Sequence, residues 1–251
     1  MACGSTPCCN DCTLRRGTLC SAIRARDASV WPLIPESEGL QPGAAPTDVS
    51  LKGGRFGILH SGLLLRCGAE TGMDLVSTGE PLGEAFRGNR EMRVSAVVPS
   101  VVCWFDVHEV EAAALRDAGL YAALSAATAQ TADLRRIFTR MRSVLPPVER
   151  LAGLLAICVH RLAERDSMGV FRLSLQCRHD DLATLLALSG MQLDEARNEL
   201  MRRGLVILHT DGTVEIPRLT ALEDLAGLDL SPAHRNPMVG ILSALAARQR
   251  A

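Results

Sequence analysis

Asp181-Leu182-Ala183-Thr184-Leu185-Leu186-Ala187-Leu188-Ser189-Gly190-Met191-Gln192-Leu193-Asp194-Glu195-Ala196-Arg197-Asn198-Glu199-Leu200-Met201-Arg202-Arg203 is the stretch whose reading decides the fold. Apolar residues recur at helical spacing over Asp181–Leu188 and again over Gln192–Arg203, and Ser189-Gly190 breaks the pattern between them. Two short helices joined by a tight turn follow. Beyond them, Leu205–His209 and Thr213–Ile216 are strand-like runs flanking Asp211-Gly212, a strong two-residue hairpin signal. A helix-turn-helix followed by a hairpin reads as a winged module of the kind that docks on DNA.

Upstream, Val148–Ala163 has Leu151, Leu154, Leu155, Cys158, Val159 and Leu162 on one helical face, and Phe171–Leu175 is strand-like. Pro146-Pro147 closes a longer pattern, in which Leu120, Leu124, Ala127, Thr131, Leu134, Ile137, Phe138 and Met141 recur at intervals of three and four. This is one long amphipathic helix. Its stripe is too long for a small β domain to cover alone, so a coiled-coil-like dimer seam is preferred over plain intramolecular core. From Arg55 to Asp106 the chain holds short apolar runs cut by Gly, namely Phe56–Leu59, Leu63–Arg66, Met73–Val76, Val94–Val98 and Val101–Phe105. They predict a small β barrel or sandwich. Between Ser21 and Gly54, Pro32, Pro35, Pro42 and Pro46 predict a loose connector with at most a short helix.

The chain has 251 residues, 47% of them apolar, and a formal net charge of −1. It can bury a substantial core, and bulk charge directs it to neither nucleic acid nor a membrane surface. No N-terminal stretch has the layout of a secretory signal, and the longer uncharged runs, such as Val94–Phe105 with its Pro99, fall short of a membrane span. The expectation is a soluble cytoplasmic protein. Five of the nine cysteines fall in the first twenty residues, and Cys9, Cys12 and Cys20 are spaced like ligands of a soft metal centre. In a reducing compartment that clustering favours metal or redox chemistry over a disulfide framework. Zinc would accept the same thiolates as an iron-sulfur cluster.

The order of parts resembles the Crp/Fnr family of bacterial transcription regulators, and specifically its oxygen-sensing Fnr branch. Cys9-Asn10-Asp11-Cys12 followed by Leu19-Cys20 looks like that branch's ligand motif, and Ser100-Val101-Val102-Cys103 matches the place of its distant fourth ligand. Val148-Glu149-Arg150-Leu151-Ala152 and Phe171-Arg172-Leu173-Ser174-Leu175 resemble the segments leading into the DNA-binding domain. The resemblance implies an α+β chain with an N-terminal β roll of the cyclic-nucleotide-binding kind, a long dimerisation helix and a C-terminal winged helix-turn-helix. The expected domains are a cysteine-rich segment (1–20), a connector (21–54), a β-roll sensor (55–113), the dimerisation helix (114–145), the DNA-binding domain (146–230) and a tail (231–251). The resemblance further implies a [4Fe-4S] cluster held by Cys9, Cys12, Cys20 and Cys103, a homodimer, double-stranded DNA as partner, and RNA polymerase as a further one. The gap from Cys12 to Cys20 is two residues longer than the usual pattern, so Cys8 and Cys3 stand as alternative ligands.

Two departures matter. For cyclic-nucleotide binding, Gly83-Glu84 and Arg93 are suggestive, but Val94 stands where a hydroxyl residue would complete the phosphate clamp, and no nucleotide ligand is expected. On the second helix of the helix-turn-helix, the family's base-reading Glu, Ser and Arg positions fall on Met191, Asp194 and Glu195. A carboxylate is repelled by phosphate and can only accept a hydrogen bond, as from a cytosine amine. Arg178, Ser189, Gln192 and Arg197 remain as DNA-contacting candidates, with Arg202-Arg203 at the helix end; Gln192 could read an adenine. The plainer reading makes the arginines a solvated helix face, with Asp194 and Glu195 favouring the helix start through its dipole. Cys158, on an apolar helical face, reads as core, and Cys67 and Cys177, in strand or loop text with no nearby partner, are left out of the site. The six histidines are scattered with no acid or nucleophile at a telling interval, so no enzyme is predicted. Two functions follow: a cluster-bearing DNA-binding regulator, or a redox sensor with degenerate DNA recognition that signals through a protein partner.

Overall fold

The computed structural model describes residues 19–20, 36–44, 47–48, 54–68, 72–83, 92–162 and 170–227. The chain divides into two compact units, the division falling between Asp133 and Leu134 within a long helix.

Among the described residues the first unit holds eight strands: β1 (Glu36–Leu40), β2 (Thr47–Asp48), β3 (Arg55–Ser61), β4 (Leu63–Gly68), β5 (Gly72–Ser77), β6 (Pro81–Leu82), β7 (Met92–Ala96) and β8 (Ser100–Asp106). They form two four-stranded antiparallel sheets ordered β1-β8-β3-β6 and β2-β7-β4-β5. Between the sheets lies an apolar core of Leu40, Leu59, Leu64, Val76, Leu82, Met92, Val94, Ala96, Val102 and Trp104. Successive side chains of a strand point to opposite faces, so the residues alternating with this set face the other way. Phe56 and Ile58 of β3 and Phe105 of β8 accordingly join a second core, covered by α1 (Val107–Ala114) and the start of α2 (Ala118–Val144). The Gly57 position is closed by the Trp104 ring, which a β-carbon would meet at 2.6 Å. A buried bidentate ion pair joins Arg66 to Asp74 directly across β4 and β5, at 2.8 and 2.7 Å.

Two expectations need correction. The connector expected over 21–54 contains β1 and β2. β1 pairs with β8 along its whole length, from Glu36 opposite Trp104 to Leu40 opposite Ser100, and the Trp104 indole donates to Glu38 at 2.7 Å. Pro42 lies just outside β1, where it follows the strand without removing a ladder donor. The second correction concerns the apolar stripe of the long helix. Leu120, Leu124 and Ala127 are buried within their own unit, in one cluster with Phe56, Phe105 and Val110. That part of the stripe is intramolecular core, not an open dimer seam. The opposite face of α2, with Ala118, Tyr121, Ala122, Ser125 and Ala129, is exposed.

The second unit is built on α3 (Pro147–Leu162), whose Ala152, Leu154, Ala156, Cys158 and Val159 are buried. Around it come β9 (Phe171–Ser174), α4 (His179–Leu186), α5 (Gly190–Arg202), β10 (Ile207–Leu208), β11 (Thr213–Ile216) and α6 (Leu219–Ala226). The strands form a sheet ordered β10-β11-β9. Asp211-Gly212 makes the turn between β10 and β11 as the sequence predicts, with Gly212 at φ +82°. Arg150 bonds the carbonyls of Leu186 and Ala187 at 3.1 and 3.0 Å, which ties the end of α4 to α3. His160 pairs with Glu223 and holds α6.

Candidate functional site

Two of the four predicted cysteine ligands, Cys20 and Cys103, lie against the first unit's second core. β3 and β8 are in register with Ile58 opposite Cys103 and Phe56 opposite Phe105, so strand alternation turns Cys103 away from the inter-sheet core and toward the helices. Cys103 is half-buried against the cluster that contains Phe105, Val107, Val110 and the α2 residues Leu120, Ala123, Leu124 and Ala127. Leu19, helical and fully buried, belongs to the same cluster, and Cys20 beside it is half-buried against it. Two cysteines remote in sequence are thus carried on one apolar floor, which the first turns of α2 help to build. Cys9 and Cys12, with Cys3 and Cys8, lie outside the described residues. Among the described residues no three or more His, Cys, Asp or Glu side chains converge on one point.

The remaining cysteines have a different chemistry. Cys158 lies on the buried face of α3, where burial pushes its thiol up to about 12, and burial takes Cys177 up to about 11. Both stay protonated near neutrality and are poor metal ligands. Cys67 is exposed on β4, opposite Met73 and Arg93. Arg93 itself is an exposed strand residue on β7, and Glu84 lies outside the described residues.

On the candidate nucleic-acid face, Ser189 is the N-cap of α5. Its hydroxyl accepts the Gln192 N–H at 3.2 Å, and the Gln192 side-chain oxygen accepts the Ser189 N–H at 3.0 Å, a reciprocal capping box. Both predicted DNA contacts therefore use polar groups to start the helix. Arg197 bonds Asp194 at 2.9 Å, and Asp194 also faces His179 at 3.3 Å. Arg202 and Arg203 both pair with Glu199, and the Arg203 hydrogen bond is the first cause holding that carboxyl below its usual range. Arg178, exposed at the N-cap of α4, has no ion pair among the described residues. Sequence reasoning missed the role of Gly190: a β-carbon there would come within 3.1 Å of the His179 ring, so glycine lets the start of α5 approach α4 closely. The signal was present in the Ser189-Gly190 break, but only the fold shows what the glycine faces.

A β roll followed by a long helix and a winged helix-turn-helix is the fold of Crp/Fnr transcription regulators. Among solved structures, the chain is similar to FixK2 from Bradyrhizobium japonicum, at 15% identity and a TM-score of 0.62 over 77% of this chain and 98% of that one. It is also similar to a CRP-family transcriptional regulator from Thermus thermophilus, at 19% identity and a TM-score of 0.59 over 77% and 98% of the two chains. A CRP/FNR-family regulator from the same organism aligns at 20% identity and a TM-score of 0.57, over 77% and 99%. At such identities the likeness is one of fold. No protein-family model matches the sequence, and no curated protein does.

Proposed function

We propose that the protein is a homodimeric, cytoplasmic DNA-binding transcription regulator that senses oxygen or redox state through an iron-sulfur cluster. The observation that carries the reading is the placement of Cys20 and Cys103 on one apolar core with Leu120, Ala123, Leu124 and Ala127 of the long helix. Half-buried thiols on an apolar floor suit a cluster, whose thiolate ligands need partial shielding from water. Cys9, Cys12, Cys20 and Cys103 would hold it as [4Fe-4S]; zinc is the alternative for the same thiols. When bound, such a cluster supplies a centre that oxygen or nitric oxide can degrade. The chain's own part is to fix Cys103 through its strand register and Cys20 through its buried neighbour Leu19. A shift of either residue would disturb the cluster to which Leu120, Ala123, Leu124 and Ala127 of α2 belong.

DNA binding is supported by the fold and by the capped second helix of the helix-turn-helix, and RNA polymerase is the partner expected downstream. Dimerisation is supported by the exposed face of α2. Ala118, Ala122, Ser125 and Ala129 recur at intervals of four, three and four, and such small residues allow two helices to approach closely along a seam.

Anaerobic purification with iron and acid-labile sulfide analysis tests the sensor. Wild type should carry both, and Cys20→Ser and Cys103→Ser should each lose most of them while the fold persists by circular dichroism. A colourless wild type free of iron and sulfide overturns the cluster, and stoichiometric zinc without sulfide replaces it with the zinc centre. A second reading, a redox sensor that signals through a protein partner, is favoured by one observation: Arg197, Arg202 and Arg203 all pair with carboxylates of their own helix. Salt-dependent binding to a random DNA pool, with enrichment of a palindrome, decides for the regulator.

A further inference from the structure

We propose that Met191, Glu195 and Asn198 are the base-reading residues of α5, and that they select thymine, cytosine and adenine respectively, with no arginine-to-guanine contact. The inference rests on the DNA-binding reading above and specifies how that binding discriminates sequence. The other side chains of α5 up to Leu200 are already committed. Leu193, Ala196 and Leu200 are buried, Ser189 and Gln192 close the capping box, Asp194 bonds Arg197 and His179, and Glu199 holds Arg202 and Arg203.

Met191, Glu195 and Asn198 are left, separated by four and three positions and so aligned on one face, opposite the buried one. Met191 is 71% exposed, an apolar side chain on an otherwise polar helix surface. Glu195 and Asn198 are exposed, and neither has a hydrogen bond or ion pair among the described residues. Their donor and acceptor groups match particular base edges in the major groove. A carboxylate accepts from the cytosine N4 amine, an asparagine amide can bond adenine N6 and N7 together, and an apolar side chain packs on the thymine methyl. Guanine is read by a cation that bonds O6 and N7, and the guanidinium groups of this helix are held by its own carboxylates. Arg178 and Arg218 are exposed with no ion pair among the described residues and are placed to contact phosphate. The exposed ion pairs of α5 are weak enough to be exchanged for it, so binding should be salt-dependent.

The test is selection from a randomised duplex pool with the anaerobic full-length protein, followed by titration of the enriched site in several salt concentrations. Glu195→Ala, Asn198→Ala and Met191→Ala should each flatten preference at one position per half-site, cytosine, adenine and thymine in that order, by about tenfold. The salt slope should stay unchanged, because none of the three touches phosphate. Replacing the selected thymine with uracil should weaken wild type but leave Met191→Ala unaffected. A palindrome whose preferences survive all three substitutions overturns this proposal and leaves DNA binding standing. So does a Glu195→Ala variant that merely tightens binding to every sequence alike, since Glu195 would then be only a repelling surface charge. Wild type that shows no salt-dependent binding to any duplex overturns the DNA-binding reading together with it.

Discussion

Burial separates the cysteines of this chain more sharply than spacing does. Cys158 is enclosed on α3 and its thiol is pushed up to about 12, while Cys177 reaches about 11 because burial, reinforced by the Asp181 carboxylate, disfavours its thiolate. At pH 8 a Cys177 shifted this far has roughly a hundredfold less thiolate than an ordinary cysteine. Iodoacetamide labelling of the native protein followed by mass spectrometry should therefore modify the exposed Cys67 well before Cys158 and Cys177. The same shift has a consequence for stability. The native state keeps a proton on Cys158 that the unfolded chain releases above about pH 8.5, so the stabilisation is complete below that value and is lost as pH rises toward 12. The urea midpoint should fall between pH 8 and 10.5, and Cys158→Ala, less stable at neutrality, should show a flatter fall. At this scale the sequence showed that Cys158 lies on an apolar face, and it showed Ser189 three residues before Gln192. It could not show that Cys103 faces the helices, because alternation along a strand names two faces without saying which one receives α1 and α2.

The turn between α4 and α5 shows what an element boundary costs when the local chemistry is imperfect. Ala187 sits in the left-handed region at φ +53°, and its N–H bonds the Thr184 carbonyl at 3.1 Å while the Leu188 N–H bonds that of Ala183 at 2.9 Å. This is the helix-ending arrangement that glycine usually serves, and a β-carbon in that conformation costs about 1–2 kcal/mol. Arg150 bonds the Leu186 and Ala187 carbonyls and helps to hold the strained residue in place. Ala187→Gly should raise the stability of the second unit by roughly 0.5–1 kcal/mol, since part of the relieved strain is offset by glycine's greater freedom in the unfolded chain. Chemical denaturation would show it as a higher midpoint with an unchanged slope, and a lower midpoint would mean that the alanine methyl is packed. Element existence was legible wherever a pattern carried its own period. The two helices, the Asp211-Gly212 hairpin and five of the six strands from Arg55 to Asp106 were readable, and the two-residue β6 (Pro81–Leu82) was not. β1 was not readable, because Glu36–Leu40 has one buried leucine at its end and becomes a strand only by pairing with β8.

For the whole molecule, the long helix decides between self-contained and paired behaviour, and the stripe that the sequence offered as a seam is, from Leu120 to Ala127, core of its own unit. A heptad-like stripe at Leu120, Leu124 and Ala127 looks the same whether it meets a second chain or the β roll of its own chain, and only the burial of Phe56 and Phe105 against it tells them apart. The exposed small residues Ala122 and Ala129 are therefore the positions at which to test a dimer, and Leu124 is the control. Glutamate at Ala122 and Ala129 together would place like charges across a two-fold seam and weaken association by tenfold or more, without touching either unit's core. Sedimentation of the anaerobic protein should then shift from dimer to monomer with helix content unchanged. Leu124→Ala removes a buried side chain from the cluster that seats Cys20 and Cys103, so it should instead destabilise the first unit by about 2–5 kcal/mol. If the glutamate variant stays dimeric at micromolar concentration, the small-residue face is not the seam. Loss of iron and sulfide in Leu124→Ala but not in the double glutamate variant would place the helix's sensor contact on the core face and its partner contact on the opposite one.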